Sequence, residues 1–310
     1  MADFVIIGGG IYGCGTAWEL AKLGAEVVLL EASSIASGAS GGLGKRGVRA
    51  NGRDVRELPL MREAYDIWPT LHEQLEGETG YSRTGHLLLI ERELDKTREE
   101  AQVWVQQKNG IPTEWLDANA VRDKEPFVSE AVIAATYCPL DGVSDHTATT
   151  QSYAKAAQSL GATIRENTAV SHLEKKGDMV TAVLTTAGKR IPVNKAVLLA
   201  SNRHAVPFVQ KELGITLPLW LLYPQVMNTT PIAPMPLNHL IGHAHRTLAM
   251  KGVPGNHVMI SGGWHGRLNP NTQQIEPVPE QVEGNRLEAV AAFPCLADLP
   301  IAEVSVERGE

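Results

Sequence analysis

The chain has 310 residues, 43% of them hydrophobic, enough to bury one large core or two closely packed ones, which excludes a small module stapled by disulfides. Its 28 Lys and Arg against 35 Asp and Glu leave a net charge of -7 with no basic run, so nucleic acid is not an expected partner. Cys14, Cys138 and Cys295 are far apart and lack C-x-x-C spacing, which predicts structural thiols in a reducing, cytoplasmic setting.

The first apolar stretch, Phe4 to Ile7, has no basic lead-in and runs straight into glycines, so it is read as a strand and not as a signal peptide. Glycines follow, then an apolar-periodic helix near Ile11 to Leu23 and a second strand, Val27 to Leu30. That is one βαβ unit, with continuous apolar runs expected of strands buried on both faces and a right-handed crossover that makes them parallel. Residues 32 to 50, rich in Gly and Ser, are expected to form a loop along a ligand surface. A helix near Val55 to Leu75 comes next, then a strand over 84–91, an amphipathic helix over 94–109 and another strand over 131–139.

The chain then returns to the first pattern, with a helix at about Thr147 to Leu160, a hairpin-like segment from Met179 to Val193 and a buried strand over 195–201. From Ile215 to Leu268 extended, Pro-punctuated segments predict a mostly antiparallel sheet. No stretch reaches the ~18 apolar residues of a membrane-spanning helix, so no transmembrane segment is expected.

Gly8, Gly10 and Gly13 form G-x-G-x-x-G between the first strand and the first helix. Gly8 permits the tight turn, Gly10 lets the backbone approach a pyrophosphate, and Gly13 with Ala17 lets helix and strand pack closely. The diphosphate meets free N–H groups at the positive end of the helix. Glu31, 21 positions after Gly10, ends the second strand where a carboxylate can accept hydrogen bonds from a ribose, which argues against a 2′-phosphate. FAD and NAD both fit this pattern.

Several segments resemble the D-amino-acid oxidase-like (DAO) family of FAD-dependent oxidoreductases. "FVIIGGGIYGCGTAWELAKLGAEVVLLEAS" is similar to the family's nucleotide fingerprint, "ASGASGGLGKRGVR" to its flavin loop and "DGVSDHTATTQSYAKAAQSLGATIRENTAV" to its middle segment. "KAVLLASNRHA" and "HVMISGGWHG" resemble two further strands. The resemblance covers nearly the whole chain and implies an α/β fold, α+β overall. A Rossmann-like FAD-binding domain with a parallel central sheet (1–83 and 140–212) would join a substrate domain on a mostly antiparallel sheet (84–139 and 213–310). It implies FAD, held non-covalently, as cofactor. Gly8, Gly10, Ile11, Tyr12 and Gly13 would hold the diphosphate, Glu31 and Ala32 the adenosine ribose, and Ala39, Ser40, Gly42, Leu43 and Gly44 the riboflavin side. Val170 falls at the family's adenine contact, and Ala200 and Ser201 fall where the family has Ala-Gly beside the flavin.

The implied reaction is oxidation of the C–N bond of a small amine or amino acid by hydride transfer to flavin, which asks the protein mainly to orient a C–H bond. A substrate carboxylate suits a guanidinium fork, so Arg49 is the first candidate, with Lys45 and Arg46 as alternatives. Tyr223 and Trp264 are expected to face the substrate cavity. His243, His245, His257 and His265 complete no ligand pattern with a carboxylate or Cys, so no metal is expected.

Relatives in the family run on with a "PDG-x-P-x-IG" stretch and a "GHxGxG" segment after the position matching Glu310. A catalytically silent or truncated flavin-binding subunit of a hetero-oligomer therefore stays open, and so does an NAD-linked dehydrogenase using the same glycine fingerprint, which the Gly-Ala-Ser loop disfavours. The partners expected are a small-molecule substrate and a homo- or hetero-oligomeric neighbour.

Overall fold

Apolar strands from both ends of the first 200 residues build the first of two large sheets. The computed structural model describes residues 1–38 and 45–306. Strand β1 (Ala2–Ile7) lies between β2 (Val27–Leu30) and the long strand Arg190–Leu199, all parallel, and Thr163–Arg165 extends the parallel side beyond β2. On the far side, Met179–Thr185 and Val170–Lys176 add an antiparallel ladder, so Arg190–Leu199 pairs antiparallel at its start and parallel along the rest.

Alternation within β1 explains the apolar run Phe4–Ile7 that follows the half-buried Asp3. Ile6 and Leu29 face helix α1 (Ile11–Lys22) and the helix His146–Ser159, packing on Cys14, Ala17, Trp18 and Ala157. Val5, Ile7 and Leu30 face the other way, onto Leu173, Val183, Ile191 and Val193. Each face has its own core, so neither could take polar residues without burying an unpaired group.

The second sheet has eight strands in the order Ile301–Ser305, Val226–Thr229, His257–Ser261, Ala249–Val253, Leu240–His243, His86–Ile90, Ala134–Cys138 and Glu114–Asp117. Only Leu240–His243 against His86–Ile90 is parallel. One face carries Leu87, Leu89, Met227, Ile241, Met250, Val258 and Ile260, covered by Ala289, Ala292 and Phe293 from the end of helix Pro279–Ala292. The opposite face is mixed, with His86, Thr136, Lys251 and Ser261 among Leu88, Val226 and Met259, and holds the candidate site.

Two local expectations differ from the structure. The helix expected over 55–75 is four pieces: 3₁₀ turns at Val55–Glu57 and Trp68–Thr70 and α-helices at Leu58–Ile67 and Leu71–Leu75. Pro69 lies inside the second turn, and a proline cannot donate the N–H that a continuous helix needs there. The loop expected over 32–50 ends early, because β3 (Lys45–Val48) pairs antiparallel with Gly142–Asp145. Gly142 permits a close crossing, since a Cβ there would lie 2.1 Å from the Ser82 carbonyl oxygen.

This two-stranded ribbon joins the halves of the molecule. At one end Asp145 caps the helix His146–Ser159 by accepting from the N–H groups of Thr147 and Ala148. At the other, Gly47 lies against Leu240 of the second sheet, 3.0 Å from where its Cβ would be.

Candidate active site

The turn from β1 into α1 is closed on its inner side and open on its outer one. Gly8 has φ +117°, and a Cβ there would meet the Ala200 carbonyl oxygen at 2.4 Å. A Cβ on Gly13 would lie 1.9 Å from the Gly8 oxygen, so only glycine lets α1 approach the strand this closely. Gly10, the N-cap of α1, would meet nothing within 4 Å. No side chain caps that helix start, which leaves its N–H groups for an anion. Ile11 and Tyr12 are exposed beside it, Tyr12 by 83%.

Glu31 sits at the tip of β2 against this turn. Its carboxylate accepts from Gly9 N at 2.7 Å and from Ser33 N at 2.8 Å, and its carbonyl accepts from Thr168 N. Ala32 beside it is exposed. Gly9 belongs to the cradle and was not singled out by spacing: a Cβ there would press on Ile35 at 2.5 Å and on Glu31 at 3.0 Å. Val170 opens its strand two residues beyond Thr168 and is half-buried. Ala200 donates its N–H to Ile7, and Ala200 and Ser201 are half-buried against Gly8. Ala39, Ser40, Gly42, Leu43 and Gly44 lie outside the described residues.

Beyond the ribbon, the mixed face of the second sheet floors a cavity of about 260 Å³, lined among others by Arg46, Pro224, Val226, Ser261, Trp264 and His265. The Trp264 indole is fixed: its N–H donates to the Thr247 carbonyl at 2.7 Å, and its ring packs where Gly284 of the helix Pro279–Ala292 leaves room. Tyr223 is half-buried, accepts from Gly266 N through its carbonyl, and is not part of the lining, whereas its neighbours Leu222 and Pro224 are.

Arg49 follows β3 and is half-buried, donating from Nη1 to the Asn51 carbonyl at 2.7 Å. Burial lowers its pKa, with Arg53 adding to the effect, while Asp141 and Glu57 act in the opposite direction. Asn51 is fully buried and tied to the sheet. It donates to the Thr136 carbonyl at 3.1 Å, and its amide oxygen accepts from the Thr136 hydroxyl at 2.9 Å.

Lys251 was missed on sequence and is the least expected group on this face. It alternates with core-facing Met250, so it points to the mixed side with its cross-strand partner Met259. Only 6% exposed, it has its pKa lowered to about 7, first by loss of solvation and then by the positive charges of Arg46 and Arg49. Its one sequence signal is a lone lysine inside the apolar strand Ala249–Val253. The structure therefore gathers Arg46, Arg49 and Lys251 into one basic cluster, with Arg46 in the cavity lining and Arg49 and Lys251 outside it, while Gly8 to Gly13 and Glu31 belong to the first sheet.

A βαβ turn with an open glycine cradle on one sheet, joined by a ribbon to a second sheet whose cavity Arg46 lines, fits the class of dinucleotide-binding α/β proteins. Residues 3–307 match the family described as DAO, FAD dependent oxidoreductase, and the chain belongs to that family. FAD is accordingly its cofactor, and the unobstructed backbone at Gly10 with the carboxylate of Glu31 behind it fits an adenine dinucleotide.

Among curated relatives, the chain is 27% identical over 274 residues to the sarcosine oxidase subunit beta of Arthrobacter sp, covering 86% of this chain and 64% of that one. It is 29% identical over 269 residues to the glycine oxidase of Geobacillus kaustophilus, covering 83% and 69%. Among solved structures, the L-proline dehydrogenase from P.horikoshii superposes with a TM-score of 0.84 at 25% identity, over 98% of this chain and 80% of that one. The chain thus spans about two thirds of the length of these curated relatives. Among the described residues no helix is long and apolar enough to cross a membrane.

Proposed function

We propose that the protein oxidises the C–N bond of a small amine or amino acid, passing a hydride to FAD. The observation that carries this reading is a cluster of three basic side chains, Arg46, Arg49 and Lys251, close enough to act on one another's charge, of which Arg46 lines the cavity on the second sheet. Relatives named sarcosine oxidase subunit beta, glycine oxidase and 4-methylaminobutanoate oxidase share a substrate class, a small amine that carries a carboxylate.

In this reading the backbone from Gly8 to Gly13, with Ile11 and Tyr12, holds the diphosphate, Glu31 and Ala32 hold the ribose, Val170 meets the adenine, and Ala200 and Ser201 border the flavin. When bound, FAD supplies the electron acceptor. Arg49 offers parallel N–H groups to the substrate carboxylate and so fixes which C–H bond is presented. Lys251 can hold or release a proton at Nζ near neutral pH, because its burial, and after it the two guanidinium neighbours, disfavour the ammonium form. Trp264 and Pro224 wall part of the cavity.

The three free cysteines suit a reducing, cytoplasmic compartment. Relatives named as subunits, in sarcosine oxidase and in opine oxidase, favour a hetero-oligomeric setting.

The purified protein should be yellow, and its visible flavin bands should bleach anaerobically on addition of sarcosine, glycine or proline. Bands that persist with every small amine tried would leave a flavin-binding subunit without this activity. A colourless protein that takes up no FAD would remove the proposal altogether.

A further inference from the structure

We infer that Asp141 is a positioning residue that sets the Arg49 guanidinium for a substrate carboxylate, acting through the backbone of Ala50 and Asn51. The inference rests on the proposed reading of Arg49 as the carboxylate anchor.

Asp141 is completely buried, between the strand Ala134–Cys138 and the ribbon strand Gly142–Asp145, and it does not line the cavity. One carboxylate oxygen accepts from Ala50 N at 2.7 Å and from the Tyr65 hydroxyl at 2.5 Å. The other accepts from Asn51 N at 3.0 Å and has His86 Nδ1 at 3.6 Å. The consecutive N–H groups that follow Arg49 are thus clamped by the two oxygens of one acid.

The turn they open is closed by Arg53 N donating to Ala50 O at 2.9 Å, with Gly52 at φ +74°. Because Asn51 cannot rotate, its carbonyl stays where Arg49 Nη1 donates to it, and one edge of the guanidinium is held. The remaining N–H groups are left to a ligand.

An amide could not replace this acid. Asparagine has one acceptor oxygen, and its NH₂ would meet the N–H of Ala50 or Asn51 donor to donor. A buried carboxylate is costly unless several donors meet it, and here three do. Asp141 is also a buried negative charge that favours the charged form of Arg49.

The test titrates the FAD-loaded protein with acetate and with its uncharged isostere acetamide, following the shift of the flavin absorption bands. Arg49→Ala should weaken acetate on the order of tenfold or more. Asp141→Asn should weaken acetate by a similar factor and leave acetamide unchanged, and the double variant should be no weaker than Arg49→Ala alone, since the two act as one unit. Equal weakening of acetate and acetamide by Asp141→Asn, or additive losses in the double variant, would mark Asp141 as merely structural and overturn the inference.

Unchanged acetate binding in Arg49→Ala would sink the anchor role and this inference together. A loss in Arg49→Ala with none in Asp141→Asn would sink this inference alone. If Asp141→Asn does not fold, Tyr65→Phe carries the test: it removes one donor from the carboxylate and should weaken acetate about threefold with acetamide unaffected. No change there overturns the inference.

Discussion

Glycine at two positions of one turn, Gly13 and Gly10, serves two separable purposes, and substitution can tell them apart. At Gly13 an added methyl would sit 1.9 Å from the Gly8 oxygen, so Gly13→Ala must push α1 off the sheet and lower stability with or without cofactor. At Gly10 the space is empty and φ is −82°, a value any residue adopts, so Gly10→Val should leave the thermal midpoint of the apoprotein nearly unchanged while abolishing FAD uptake. Melting curves with and without FAD, and flavin content after purification, check both outcomes; FAD retained by Gly10→Val would remove the diphosphate from this turn. Lys251 makes a second residue-scale prediction. Its pKa falls from an unfolded value of 10.5 to about 7 in the fold, so between those values the unfolded chain binds the extra proton and stability rises with pH. Below pH 7 both states are protonated and the full penalty of a buried ammonium remains. Lys251→Met should therefore melt higher than wild type at pH 6, with the gap narrowing steadily toward pH 10. A constant gap would show that Lys251 is not buried as a shifted amine.

At the scale of elements, what was legible followed periodicity, and what was not depended on partners distant in sequence. The βαβ unit was read nearly to the residue, because two faces of apolar packing require continuous runs in β1 and β2 and a small-residue stripe on α1. β3 was not, because Lys45, Arg46 and Gly47 show no alternation; their pairing is fixed from 142–145, about a hundred residues away. Asp141 was invisible for the same reason, since its donors lie at 50, 51 and 65. Lys251 could have been noticed as a charge inside a strand, yet its two cationic neighbours come from another element. The segment 244–248 behind Trp264 is a further case. Arg246 donates to Glu91 at 2.6 Å and to Glu288 at 2.7 Å, tying the strand His86–Ile90 to the helix Pro279–Ala292, while Thr247 O holds the Trp264 indole. Arg246→Ala leaves the mostly buried Glu91 without its main partner and should cost about 2 kcal/mol or more. Denaturant titration measures that loss, and a change below a few tenths would make the pair a surface contact in energetic effect.

Among the described residues the molecule is built on two large sheets with separate cores, one on each side of the first sheet and one beneath the second, with a smaller core around Leu58, Tyr65 and Ile111, and the sheets are connected at the candidate site by a ribbon of four residues paired with four. A cofactor whose diphosphate lies at α1 and whose reactive ring reaches the cavity touches both sheets, so its binding energy should be shared between them. A ligand that binds only the folded state stabilises by an amount that grows with its concentration, about 4 kcal/mol at a thousand times the dissociation constant. If it spans both halves, amide exchange should slow together in β1 of the first sheet and in Ala249–Val253 of the second when FAD is added to the apoprotein. Ligand contact with the first sheet alone would slow exchange in β1 and leave Ala249–Val253 unchanged. The Gly10→Val variant is the internal control: with the diphosphate excluded, neither sheet should gain protection at any FAD concentration. Protection of both sheets in wild type and of neither in the variant would place the dinucleotide across the ribbon, where Arg46 in the cavity lining can meet a substrate against it; slowing confined to β1 would separate the nucleotide cradle from that cavity and leave the second sheet without a redox role.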